Sequence, residues 1–346
     1  MGQLDKIGGN LGIFDQNSPP RGLPDANAAQ PNGYSRAALK PQRLPPSTLF
    51  DGHLPSESAI AAVVAHPRFP EAAQNVGRGL VALYQGERVV NLVMPDRIRY
   101  IISVFAIHLH FAGRPNDPNS GLTASRLSRL CVERNICSEG RAEAMLAIMR
   151  DYGHLVSAPS EEDKRLRRLV PAESLFDWHR KRCTHFFPAA AKVMPEYAGA
   201  LGALDTGEFM PNFLRHLARC HVAGFHYVAF APDVRQFYER SAGGPILMSI
   251  ALAGASDDSF PPLRPVSISL TAIARDFDVS RVHVRRVVQE GVSAGLLERA
   301  GPREDELRLS PRLSDAVRRV LAAYMVHYTH CARLAYADIA REDAVA

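Results

Sequence analysis

The sequence predicts a mainly helical protein in which one arrangement of helices and a small β-hairpin occurs twice. Long stretches place apolar residues at three- and four-residue spacing, which is the period of an amphipathic helix. Short charged segments separate pairs of brief apolar runs, as in a hairpin. The order of these features in residues 95–195 returns in residues 232–346, which indicates an internal repeat.

Composition limits the classes of protein that the chain can belong to. Its 346 residues carry 41 Lys and Arg against 36 Asp and Glu, so a nucleic-acid surface must come from local clustering of charge. Five cysteines without a C-x-x-C pair argue against a disulfide framework and favour a reducing compartment. No apolar run approaches the roughly 18 residues that span a bilayer, and the chain begins without a signal-peptide pattern. We therefore expect a cytoplasmic protein.

The first part of the chain divides into a tail and a helical segment. Residues 1–50 are rich in Pro and Gly and lack a sustained apolar period, which predicts a disordered tail. Residues 51–94 show helical periodicity and form the predicted N-terminal helical segment. Residues 196–231, between the two repeated units, are predicted to form a helical connector.

The repeat is supported by glycines and prolines at corresponding places. Each unit begins with an apolar helix that ends in Ala-Gly, followed by a polar loop and a new helix. Gly153 and Gly295 lie 142 residues apart, each just before a short apolar run. Pro171 and Pro311 are each predicted to open a long C-terminal helix. We conclude that residues 95–195 and 232–346 are two versions of one unit.

The second unit contains the clearer chemical signal. Residues 270–276 predict a short helix, and Ser280 is a predicted N-cap for a second helix over residues 281–294. Three valines at helical spacing should bury one face of this second helix. They are Val284, Val287 and Val288, and the residues left outside are Arg281, His283, Arg285, Arg286 and Gln289. Arg pairs with guanine and Gln with adenine in the major groove, so this face predicts contact with duplex DNA.

A charged loop between two short strands follows Gly295, and a helix-turn-helix with such a hairpin is a winged helix. The segment "LTAIARDFDVSRVHVRRVVQEGVSAGLLERAGPREDELRLSP" resembles the winged helix-turn-helix of bacterial transcription regulators, above all the MarR family. In the first unit, Asp163-Lys164-Arg165 matches the Asp-x-Arg of that family's wing, and the resemblance implies that Arg165 reaches the minor groove.

The two units depart from the family in opposite ways. In the second unit Leu307 occupies the place of the wing arginine, whereas in the first unit Arg141 lies among Glu139 and Glu143 on the recognition helix. We therefore predict that the first unit contributes mainly its wing and the second mainly its helix. The candidate DNA contacts are Ser138, Arg141, Lys164, Arg165, Arg167 and Arg168 in the first unit, and Ser280, Arg281, His283, Arg285, Arg286, Gln289, Arg303 and Arg308 in the second.

These observations predict a nucleoid-associated transcription regulator that binds double-stranded DNA as a single-chain pseudo-dimer. A small-molecule effector, RNA polymerase and other regulators are left open as further partners. One alternative is a plasmid or phage replication initiator, because such proteins also carry tandem winged helices. The other is a non-catalytic winged-helix scaffold for protein interactions, a class that the acidic first recognition helix suits.

Neither catalysis nor a cofactor is predicted. The chain lacks a P-loop, an H-E-x-x-H helix and a G-x-S-x-G elbow. His327, His330 and Cys331 have the spacing that could place three metal ligands on one helical face, and His179 with Cys183 repeats part of that spacing. Isolated His and Cys residues on amphipathic helices are usually packing residues, so we predict no metal site.

Overall fold

The computed structural model describes residues 50–51, 54–114, 117, 120–158, 168–255, 259–301 and 306–345. Within these ranges the chain is mainly helical and carries small antiparallel sheets, which confirms this part of the predicted fold class. Apart from its last residue, the predicted disordered tail lies outside the described residues. No described helix combines the length and the apolar character needed to cross a membrane.

The segment after the tail contains a short strand pair and three helices. Strand β1 (Phe50–Asp51) pairs antiparallel with β2 (Leu54–Pro55), and the helices are α1 (Glu57–Ala65), α2 (Phe69–Ala82) and α3 (Arg88–Val93). Ser56 starts α1 because its hydroxyl accepts a hydrogen bond from the backbone N–H of Ala59.

Four helices and two strands follow in the region predicted as the first unit. They are α4 (Arg97–Phe111), α5 (Ala124–Glu133), α6 (Glu139–Asp151), β3 (Leu155–Ser157), β4 (Leu169–Pro171) and α7 (Glu173–Ala190). Asp96 caps α4 by accepting from the backbone N–H of Arg99. Pro171 does not open α7 as predicted, because it pairs with Leu155 at the end of the hairpin and the helix begins two residues later. An extended backbone at the end of a strand suits the fixed φ of proline.

The predicted connector contains two α-helices, and a third begins just inside the predicted second unit. They are α8 (Ala200–Ala203), α9 (Phe209–Val222) and α10 (Arg235–Tyr238). The second half consists of α11 (Gly243–Leu252), β5 (Val266–Ser267), α12 (Leu270–Asp276), α13 (Arg281–Ser293), β6 (Leu297–Arg299), β7 (Glu306–Leu309) and α14 (Pro311–Val345). Strand β7 pairs antiparallel with both β5 and β6. Helix α12 has the predicted bounds, and α13 ends one residue before the predicted end.

The two halves share their order of elements and several backbone details. Asn135 precedes α6 and Asp278 precedes α13, and both have φ of 52°, a conformation that is uncommon for residues other than glycine. Gly153 and Gly295 follow the same two helices with φ of 70° and 66°. The antiparallel pairing of β3 with β4 corresponds to that of β6 with β7. These shared backbone features are those expected of two versions of one unit.

The core is built around the long helix α14, which packs along α1, α2, α7 and α9. Aromatic side chains fill this interface, and Phe186 stacks on Tyr328 with ring centroids 4.7 Å apart. Trp178 of α7 is also buried, and its ring centroid lies 5.9 Å from that of Tyr100. Because α14 contacts elements from both ends of the chain, the two halves share one hydrophobic core.

Candidate nucleic-acid interface

Helix α13 is fixed from behind by small and branched side chains. Val284, Val287 and Val288 are buried, as predicted, and the helix packs on α12 and α10. Gly291 lies on the same face, where a Cβ atom would come within 3.0 Å of the Phe237 ring and 2.9 Å of Leu297. The lack of a side chain at Gly291 therefore allows α13 to pack close to α10 and to strand β6.

The outer face of α13 carries the predicted basic residues. Arg281, Arg285, Arg286 and Gln289 are all exposed, so the structure brings these candidates together on one face. Arg286 lies 3.5 Å from Glu290 one turn along the helix, and its side chain is 69% exposed. These residues therefore form an exposed, mainly basic surface on α13.

Two residues near this face were not singled out from the sequence as contacts. Arg299 of β6 donates a hydrogen bond to the side-chain oxygen of Gln289 at 2.8 Å, which brings a further exposed arginine beside α13. Val282, in the first turn of α13, is 72% exposed. A β6 strand of three residues is too short for its alternation to indicate the outward direction of Arg299 from sequence.

His283 and Ser280, two further candidates, also have structural roles. The His283 ring is half-buried, and its Nε2 lies 2.8 Å from the backbone carbonyl of Ser241, to which an N–H at this position donates. The Ser280 hydroxyl accepts from the backbone N–H of His283 at 3.1 Å and so starts the helix. The bond of His283 to Ser241 holds the N-terminal end of α13 against the segment that precedes α11.

The hairpin beside α13 has an apolar inner side and a charged outer side. Leu297, Leu307 and Leu309 are buried, and the burial of Leu307 agrees with the predicted lack of a wing arginine at this place. Arg308 is exposed and lies 3.8 Å from Glu298, its neighbour on the opposite strand. The other hairpin candidate, Arg303, lies outside the described residues.

Helix α6 presents a different outer face. Ser138 and Arg141 are exposed, as are Glu139 and Glu143, so this face carries more acid than base in its first turns. Arg141 also lies 3.7 Å from the side chain of Asp96, the residue that caps α4. The positive charge of Arg141 is therefore partly balanced within the protein.

Among the first-wing candidates, Arg168 is described and has a local role. Its guanidinium donates to the backbone carbonyls of Arg114, Asp117 and Ser120 at 3.0 to 3.3 Å, which fastens the loop between α4 and α5. The sequence could not indicate this, because the acceptors are carbonyl groups about 50 residues away. The other candidates, Lys164, Arg165 and Arg167, lie outside the described residues.

The structure groups potential metal ligands differently from the sequence pattern. Cys220 of α9 joins His327 and Cys331 of α14, and one ligand atom from each lies within 4.8 Å of the others in the buried core. His330 is not in this group and lies beside Arg333. Two thiolates and an imidazole are ligands that suit zinc. Burial raises the pKa of the Cys331 thiol, whereas a hydrogen bond with Cys331 lowers the pKa of the Cys220 thiol.

No protein-family model matches the chain, and neither a curated protein nor a solved structure is significantly similar to it.

Proposed function

We propose that the protein binds duplex DNA through two winged helix-turn-helix units and regulates transcription. The observation that carries this proposal is the geometry of α13. Its N-terminus is capped by a side chain, its valines are buried on one face, and its arginines are exposed on the opposite face. A helix of about 10–12 Å diameter fits the major groove of B-DNA, which is about 12 Å wide. Arg281, Arg285 and Arg286 would then meet guanine edges or phosphates, and exposed Val282 could contact a thymine methyl group.

The sheet beside α13 supports the same proposal. Strands β5, β6 and β7 form a three-stranded antiparallel sheet, and the helix pair α12 and α13 lies between β5 and β6 in the chain. This order of elements is the one expected of a winged helix. In the first half, β3 and β4 take the place of the wing, and Leu122 makes a single bridge to Leu169 where β5 pairs with β7. We infer that both halves are winged helices of the kind found in MarR-like regulators.

Contacts between the two halves support a pseudo-dimer within one chain. The backbone N–H of Ala242, before α11, donates to the carbonyl of Pro95, before α4, at 2.7 Å. Arg97 and Glu239 form an ion pair at 3.4 Å across the same junction. The segment before α4 therefore contacts the corresponding segment before α11. Residues near the two-fold axis of an isologous dimer contact their counterparts in the same way. Because α6 and α13 differ in charge, we propose that the DNA site is asymmetric.

The proposed mechanism separates affinity from specificity. Arg and Lys side chains neutralise phosphates and supply affinity that depends on salt, while the outer face of α13 reads bases. Binding at a promoter would then exclude or recruit RNA polymerase. This proposal places the protein with the bacterial nucleoid in the cytoplasm.

A second candidate function is a non-catalytic scaffold for protein interactions. It is favoured by one observation, the exposed Glu139 and Glu143 on α6, since carboxylates facing phosphates weaken DNA binding. The arginines of α13 oppose it, because a surface with three exposed arginines suits a polyanion.

A selection of genomic fragments tests the proposal directly. The full chain is mixed with sheared genomic DNA at about 150 mM salt, where weak non-specific binding is largely suppressed. A protein with both Arg285→Ala and Arg286→Ala is selected in parallel, and the mass of the wild-type complex is measured in solution. One imperfect palindrome upstream of genes, bound by a single chain, would support the regulator, and clustered repeats at an origin would favour a replication initiator. No enrichment over the double variant would refute DNA recognition and favour the scaffold.

A further inference from the structure

Helices α9 and α14 enclose three buried side chains of the kinds that bind metals. Cys220 lies on α9, and His327 and Cys331 lie one helical turn apart on α14. Each of the three is at most 3% exposed, and one Sγ or ring nitrogen atom from each lies within 4.8 Å of the other two. We call these three residues the Cys-His group. In the described part of the chain, no other three His, Cys, Asp or Glu residues come together in this way.

The His327 ring is held in the way that is typical of a metal ligand. Its Nδ1 lies 2.7 Å from the hydroxyl oxygen of Tyr227, and its buried Nε2 has no hydrogen-bond partner within the described structure. Histidine ligands usually donate the N–H that does not face the metal to a nearby oxygen atom, which fixes the tautomer and the ring. With the proton on Nδ1 donated to Tyr227, the lone pair of Nε2 is available to an ion. Buried polar atoms without partners are rare in folded proteins, so this nitrogen indicates a binding site.

His221 of α9 brings a second imidazole beside the Cys-His group. Its ring centroid lies 5.4 Å from that of His327, and its Nδ1 lies 2.9 Å from the backbone carbonyl of Phe225. Because a carbonyl oxygen can only accept, the ring proton is on Nδ1. The buried Nε2 of His221 is therefore unprotonated, and it has no hydrogen-bond partner among the described residues. Burial lowers the pKa of both histidines, so both rings are in the neutral form that binds metals.

The charge of the bound state distinguishes between the ions that these ligands could hold. Cysteine binds a metal as the thiolate, so an entering ion replaces the thiol protons of Cys220 and Cys331, which pass to solvent. Zn²⁺ with two thiolates and neutral imidazoles has no net charge, whereas Cu⁺ with the same ligands would leave one negative charge in the core. An uncompensated charge is costly away from water. Mg²⁺ and Ca²⁺ require oxygen ligands, which the Cys-His group does not provide.

We propose that Cys220, His327 and Cys331 bind one zinc ion and that His221 supplies the fourth ligand. Structural zinc sites are tetrahedral with four protein ligands, and two cysteines with two histidines are one of their usual sets. Zinc–ligand bonds of about 2.0–2.3 Å place sulfur and nitrogen ligands about 3.5–3.8 Å apart. Closing the Cys-His group from 4.8 Å therefore requires movements of at most about 1.3 Å, and the His221 ring must turn toward the group. The ion joins α9 to α14 whether or not the protein binds DNA.

A cavity provides a path from solvent to these ligands. It lies beside Arg182 of α7 and has a volume of about 640 Å³, including its opening to solvent. His221 and Tyr227 form part of its wall, and Tyr227 contacts His327 through the hydrogen bond described above. An ion that enters this cavity therefore meets the imidazole side of the site. Because the ligands lie behind this wall in the core, we expect bound zinc to exchange slowly and to remain with the protein during purification.

The zinc content of the purified full chain tests the proposal. The protein is prepared under reducing conditions, incubated with zinc and dialysed against a weak chelator, and its metals are measured by mass spectrometry. We expect about one zinc ion per wild-type chain and at least about tenfold less in Cys331→Ala. Cys183→Ala is the matched control, because Cys183 of α7 is also fully buried but lies outside the Cys-His group. This control should retain the wild-type zinc content.

Two further variants keep the test valid if Cys331→Ala is altered in its folding. Tyr227→Phe keeps the ring and removes the hydroxyl that holds His327, and we expect about 10-fold to 100-fold weaker zinc binding in competition with a chromophoric chelator. His221→Phe removes the fourth ligand and should weaken zinc binding by at least about tenfold. Both variants keep the two cysteines, so their cobalt-loaded forms should retain thiolate-to-cobalt absorption. Far-ultraviolet circular dichroism checks that each variant keeps its helices.

Equal zinc content in wild type, Cys331→Ala and Cys183→Ala would overturn the proposal, because the ion would then lie elsewhere in the protein. So would a reduced wild-type protein that binds no zinc and shows no thiolate-to-cobalt absorption. Zinc binding by His221→Phe as tight as that of wild type would refute His221 as the fourth ligand. These measurements use no DNA, so the zinc site and the proposed function can fail separately.

Discussion

Replacement of Arg286 by alanine should weaken specific DNA binding with little effect on folding. Glu290, the partner of Arg286 at 3.5 Å, is already engaged by Arg240 in two bonds of 2.9 Å. An exposed pair at i, i+4 contributes about 0.3–0.5 kcal/mol, so Arg286 can leave Glu290 at small cost and meet a base. One lost base contact costs about 1–3 kcal/mol. This corresponds to about a 5-fold to 150-fold rise in the dissociation constant.

The assay is fluorescence anisotropy with a selected genomic fragment and a random duplex of equal length. Arg341→Ala is the matched control, since Arg341 is 74% exposed, lies on a helix and pairs with an acid one turn away. We expect a large loss for Arg286→Ala on the selected fragment and a much smaller loss on the random duplex. Equal losses on both duplexes, or a loss no larger than that of the control, would refute the assignment of α13 as a reading helix.

Further predictions concern the caps, packing and buried histidines, and each is checked by denaturant or thermal unfolding. Ser280→Ala should lower the free energy of unfolding by about 1 kcal/mol, because the N-cap hydrogen bond of α13 is lost. Ser138→Ala should lower it by less, because the Ser138 hydroxyl makes no cap hydrogen bond. Equal losses in the two variants would contradict a capping role for Ser280. Gly291→Ala should cost about 1–3 kcal/mol through overpacking against Phe237, and a stabilised variant would show that α13 can shift. Burial lowers the pKa of His179 to about 3 from 6.5, so the unfolded chain binds an additional proton there between these values. At pH values near 5, this site should therefore lower the free energy of unfolding by about 1.4 kcal/mol for each pH unit of acidification. His179→Phe should reduce the slope of the free energy of unfolding against pH. An unchanged slope would refute the lowered pKa of His179.

Local patterns in the sequence were enough to predict α12, the cap of α13 and its buried valines. These features depend on residues within four positions of one another, where helical spacing and capping act. The same reasoning placed Pro171 at the start of a helix, although pairing with Leu155 puts it in a strand. The strand β5 was also missed, because its two residues gain their conformation from β7.

Contacts between distant parts of the chain could not be predicted. The spacing of His327, His330 and Cys331 suggested one set of ligands, but packing of α9 on α14 replaces His330 by Cys220. The cavity beside Arg182 likewise draws its wall from helices α2, α4, α7, α9, α10, α11 and α14 and from the segments between them. Arg182 itself lies in an amphipathic stretch in which its burial has no local signal. Such sites arise from the assembled core.

The unequal outer faces of α6 and α13 have an evolutionary consequence. The two helices bury corresponding positions, with Ala142, Met145 and Leu146 in one and Val284, Val287 and Val288 in the other. In a homodimer, a substitution on the reading helix changes both halves of the binding surface at once. In a duplicated chain, selection can alter one half while the other keeps its contacts. Under the proposed function, an asymmetric DNA site thus becomes reachable by single mutations, each of which changes only one half of the binding surface.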